Sequence, residues 1–139
     1  MHDMNANAAT STSGRGVRFA RRLFLVAGIY GLIVLPPFYF LEERMGQDFP
    51  PAITHPEYYY GFVGVAIAWQ VAFLIIARDP SRYRLLMIPS VIEKFSFGLA
   101  ALVLFQQGRV PGTIVASGTV DLVFGVLFIV AFWRLRETS

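Results

Sequence analysis

The chain has 139 residues, 55% of them hydrophobic and 15% charged, with no cysteine and a formal net charge of +3. Soluble domains carry about 45–50% apolar and about 25% charged residues, so this balance, with a mean hydropathy of +0.55, leans towards a membrane. The missing cysteines exclude disulfides, thiolate nucleophiles, CxxC redox chemistry and Cys-ligated metals together.

In chain order, Met1 to Gly16 is rich in Ala, Ser, Thr, Asn and Gly without an apolar period, and reads as a disordered tail over 1–16. Arg15, Arg18, Arg21 and Arg22 then precede a charge-free run, Leu23 to Leu41, about 28 Å long as a helix. Its length, and the Pro36-Pro37-Phe38-Tyr39-Phe40 end without small residues, favour an uncleaved span over a signal peptide. The prolines should end or kink that helix. A polar connection from Glu42 to Glu57 follows, and Tyr58, Tyr59 and Tyr60 open a second span that runs to Ala77. Asp79-Pro80 reads as a helix start, with Asp79 as N-cap and Pro80 in the first turn. The third span covers about 85–105, a short turn carries Pro111 and Gly112, and the fourth span covers about 113–133. Residues 17–136 thus form one membrane domain with spans 23–41, 58–77, 85–105 and 113–133, and 137–139 are a polar end.

The basic pI does not indicate nucleic acid, because the arginines flank apolar runs. Arg15, Arg18, Arg21, Arg22, Arg78, Arg82, Arg84, Arg134 and Arg136 fall on one side of the spans, and only Arg44 and Arg109 on the other. That bias predicts an all-α integral membrane protein, an antiparallel up-down bundle of four transmembrane helices with both termini cytoplasmic (N-in/C-in). The arginine bias, without an organelle-type leader, suggests the inner (plasma) membrane of a bacterium.

Three charges interrupt the spans: Glu93 and Lys94 in the third and Asp121 in the fourth. Each costs about 2.5–3.5 kcal/mol at a helix centre, so they should face the bundle interior and pair. Glu93 and Asp121 each lie eight residues, about 12 Å, from the opposed ends of their spans, so both are near the midplane. A Lys94–Asp121 contact is the preferred pairing, which leaves Glu93 without an evident cation. Ser90, Lys94 and Gly98 stack at i, i+4 on the third span, and Ser117, Asp121 and Gly125 on the fourth. Small neighbours allow close helix approach. Gln70, beside Gly64 and Ala68, adds an amide from the second span, so the candidate intramembrane polar cluster is Glu93, Lys94, Asp121, Ser90, Ser117 and Gln70; Gly28 and Gly31 give a small face in the first span.

Ionisable groups inside a membrane mark pathways or substrate contacts as often as they fix helix register. Three uses follow. One is a structural or accessory membrane component that works with the bilayer and a membrane-protein partner. Another is a binder or carrier of a small amphipathic or lipid-like molecule, with or without proton linkage. The third is an intramembrane lipid- or sterol-modifying enzyme using buried carboxyls. The first is preferred, which leans against an enzyme. The plan resembles that of small multidrug transporters, whose first span carries an essential acid, whereas Leu23–Leu41 has none. Sterol isomerase-like and DoxX-like membrane proteins are similar in plan alone. No cofactor or metal is expected: His55 with Glu57 and Asp48 is one histidine without spaced partners, and no phosphate loop, Ser–His–Asp set or HExxH stands in the chain.

Overall fold

Each long apolar run becomes one helix. The computed structural model describes the backbone over residues 2–136 and side chains over 14–135. The helices are α1 (His2–Val34), α2 (Glu42–Asp48), α3 (Pro56–Arg78), α4 (Met87–Gln106) and α5 (Gly112–Arg136), with no strand among the described residues. Four stretches, Gly14–Phe40, Pro56–Arg78, Arg84–Gln106 and Gly112–Leu135, are long and apolar enough to cross a membrane. The expected tail carries the α1 backbone from residue 2 onward, with side chains described only from 14, and residue 1 and the end at 137–139 lie outside the described residues. Residues 14–16 lie in α1, where Gly16 is buried against the backbone of Arg134.

The element ends follow local chemistry. Pro36 and Pro37 supply no N–H to continue α1, so the chain tightens into a 3-10 turn over Pro36–Phe40. Part of the expected polar connection forms the short helix α2, which the sequence reading did not foresee. Asp79 does accept the amide of Arg82, at 3.1 Å, as a capping carboxylate would. The helix it was expected to open is displaced, however: residues 80–83 form a turn, a 3-10 turn covers Arg84–Leu86, and α4 starts at Met87. Arg84 holds this junction, its Nε donating to the Phe132 carbonyl at 3.2 Å and its guanidinium 3.9 Å from the Phe132 ring centre. Gly108 ends α4 with φ +68, and the Gly108→Phe105 and Arg109→Leu104 amide bonds close a Schellman motif that needs a left-handed residue there.

The helices meet in a consistent register. Phe24 of α1 touches both Phe73 of α3 and Phe128 of α5, with ring centres 5.8 and 4.1 Å away, and Phe73 meets Phe128 edge-on at 5.1 Å. This trio centres a core that also takes Ala20, Ala27, Ile76, Met87, Ala131 and Leu135. At the α4–α5 seam a Cβ on Gly118 would lie 2.8 Å from Ala101 Cβ, and one on Gly98 would lie 2.9 Å from the Gly118 carbonyl. Those backbones are therefore in close contact, as small residues at a membrane helix interface allow. The α3–α4 side is looser, with Phe62 and Phe97 meeting at 6.2 Å.

The outer faces are apolar: Val26 is 58% exposed, Ile33 69%, Val65 62%, Ile92 61% and Val123 54%. The exposed hydroxyls among them close onto their own helices. Ser96 donates to Ile92, Thr119 to Val115 and Ser117 to Thr113, each to the carbonyl four residues back. Hydrocarbon demands that internal satisfaction, and water does not.

Candidate functional site

Lys94 lies in the buried stripe of α4, with Met87, Ser90, Gly98 and Ala101. Its position follows from seven- and four-residue spacing, which keeps these side chains on the face towards α5. Glu93, one residue earlier and about 100° round the helix, is half-buried. Asp121 reaches the same place from α5, also half-buried.

Lys94 Nζ donates to Asp121 Oδ1 at 3.1 Å, the pairing expected from the depths of the two residues. It also lies 3.3 Å from Glu93 Oε2 and 3.5 Å from Oε1. Alignment makes Oε1 the hydrogen-bond acceptor and leaves Oε2 in ion-pair range without a hydrogen bond, buried. Glu93 therefore does have a cation, contrary to the sequence expectation: adjacent positions on a helix do not face each other, but the four-carbon lysine stem swings between them. On a third side the ammonium stands 5.3 Å from the Phe73 ring centre, within cation–π range. Lys94 thus contacts α3 and α5 as well as its own helix. Side-chain exposure is 8% for Lys94, 19% for Glu93 and 18% for Asp121, so the triad is largely withdrawn from the surface.

The other expected members divide. Ser90 is buried on the Lys94 stripe, but its hydroxyl donates to the Leu86 carbonyl at 2.7 Å. Of the expected Ser117–Asp121–Gly125 stripe, Gly125 is buried and Asp121 half-buried, but Ser117 is exposed, because Gly118, one residue on, takes the inward position at that end of α5. Gln70 is buried at a different interface: its amide donates to the Ala66 carbonyl at 2.9 Å and fills the space over Gly31 of α1, where any Cβ would overlap it. Phe73 was missed, since an aromatic in an apolar span carries no signal of an ammonium beside it. Its spacing of three from Gln70, on the same inward face, was the available hint.

The arrangement can hold helices by charge, and two carboxylates around one ammonium leave a formal excess of one negative charge. No group of three His, Cys, Asp or Glu side chains able to hold a metal occurs among the described residues. Asp48 pairs with Arg44 at 3.4 Å, and His55 with Glu57 at 3.2 Å, so these three side chains are not drawn to one point. Of two grooves on the helix surfaces, one is lined by α1 and α5 and the other by α4 and α5, and neither includes Glu93, Lys94 or Asp121. No protein-family model, curated protein or solved structure matches the chain.

Proposed function

We propose that this is a four-span, up-and-down protein of the inner membrane, with both termini cytoplasmic, that serves as a small structural or accessory component of a membrane assembly. In this reading Glu93, Lys94 and Asp121 are a clamp rather than a reaction centre. The carrying observation is that one ammonium spans two carboxylates and the Phe73 face, in a seam closed by Gly98, Ala101 and Gly118. Such a buried ion pair is weak evidence for net stability, but removing one partner is costly, and that is how it excludes wrong helix partners.

A second reading, a carrier of a small amphipathic cation with proton coupling, is favoured by one feature. Glu93 Oε2 is buried without a hydrogen bond, on the triad that carries excess negative charge. Protein reconstituted into liposomes with an internal pH dye separates the two. On addition of tetraphenylphosphonium, the clamp reading expects proton flux equal to that of empty liposomes. A flux that appears with the wild type and is lost in Glu93→Gln overturns it in favour of the carrier.

A further inference from the structure

A second cluster of charge lies apart from the triad. Arg15, Arg18 and Arg22 recur on α1 at spacings of three and four, so they share one face of the helix. All three line one end of an open groove of about 510 Å³ between α1 and α5. Phe19, Leu23, Val26, Phe124 and Leu127 line the rest of it, and no acidic side chain does among the described residues. A fourth cation stands beside that end: the Arg134 guanidinium lies 4.6 Å from the ring centre of Phe19, itself a wall of the groove. Arg18 and Arg22, at i and i+4 on one helix face, repel each other, and an anion between them relieves that repulsion. Arg15 to Val26 spans about 16 Å along α1, close to half the thickness of a bilayer's hydrocarbon core.

We infer that this groove is a binding site for a phospholipid with an anionic headgroup. The phosphate sits at Arg18 and Arg22, and one acyl chain runs down the apolar lane past Val26, Phe124 and Leu127. A soluble anion would use the arginines but not the lane, and a zwitterionic lipid would use the lane but gain little from the arginines. Basic pockets between membrane helices take anionic headgroups on this chemistry. The site is separate from the Lys94 triad and stands whether that triad is a clamp or a carrier site.

The test uses the full chain reconstituted in bilayers with spin-labelled phosphatidylglycerol or phosphatidylcholine, reading the fraction of label immobilised by the protein. The wild type should prefer phosphatidylglycerol several-fold. Arg18→Gln with Arg22→Gln should lower that preference at least threefold and leave phosphatidylcholine unchanged, while Arg78→Gln with Arg82→Gln, an equal loss of charge elsewhere, should not. Val26→Trp, at an exposed position with every arginine intact, should displace the phosphatidylglycerol label by filling the lane. The site is overturned if the wild type shows no preference, if both arginine pairs lower it equally, or if Val26→Trp leaves it untouched.

Discussion

Lys94 of α4 and Asp121 of α5, 27 residues apart in the chain, meet at 3.1 Å across a helix seam, and the same ammonium also pairs with Glu93. Removing the ammonium leaves two largely buried carboxylates without the cation they share. Lys94→Met should therefore cost about 3–5 kcal/mol of stability, read as a fall in thermal midpoint in detergent. The neutral triple variant Glu93→Gln, Lys94→Met, Asp121→Asn should recover most of that loss. A triple variant no better than Lys94→Met alone would contradict the clamp.

The same seam is tight at its glycines. Gly118→Leu places a branched side chain where a Cβ already lies 2.8 Å from Ala101, and should destabilise by about 1–3 kcal/mol. Gly61→Ala, where a Cβ meets nothing within 4 Å, should be tolerated. Thermal midpoints of the two variants, measured side by side, check the contrast.

Phe73 faces the Lys94 ammonium as well as Phe24 and Phe128. Phe73→Leu should cost less in the Lys94→Met background than in the wild type, with a coupling of about 0.5–1 kcal/mol from the lost cation–π contact. A double-mutant cycle measures it, and strict additivity would show the contact to be energetically idle.

At the end of α4, Gly108 is held at φ +68 in a Schellman motif. Gly108→Ala should cost about 1 kcal/mol through the left-handed backbone alone, since a Cβ there meets no neighbour. Gly108→Asn, which tolerates that region better, should cost less, again by thermal midpoint.

The spans were legible because hydrocarbon imposes length and apolarity on each one, and the four stretches found agree with those read from the sequence to within a few residues at most ends. The Lys94–Asp121 contact was legible for a related reason: a charge in such a span must find an opposite charge at its own depth. Orientation around each helix was harder. Spans apolar on every side have no polar face to phase them, so Ser117 was placed inward although Gly118 is the residue that meets α4, and Gln70 was grouped with Lys94 although it packs on Gly31. Glu93 was left without a partner because helix spacing ignores how far a lysine stem can swing. The Phe24–Phe73–Phe128 trio joins three helices through tertiary packing alone, and no local pattern announces it.

Membrane topology offers the most direct test of the whole account, and the absence of native cysteine makes it clean. Single variants Thr54→Cys, Ser81→Cys, Gln107→Cys and Ser139→Cys are treated in intact cells with a membrane-impermeant maleimide. Thr54→Cys and Gln107→Cys should label at once, and Ser81→Cys and Ser139→Cys only after the membrane is opened. Labelling of Ser81→Cys together with Thr54→Cys in sealed cells, or of Ser139→Cys from outside, would contradict four alternating spans with their ends on one face.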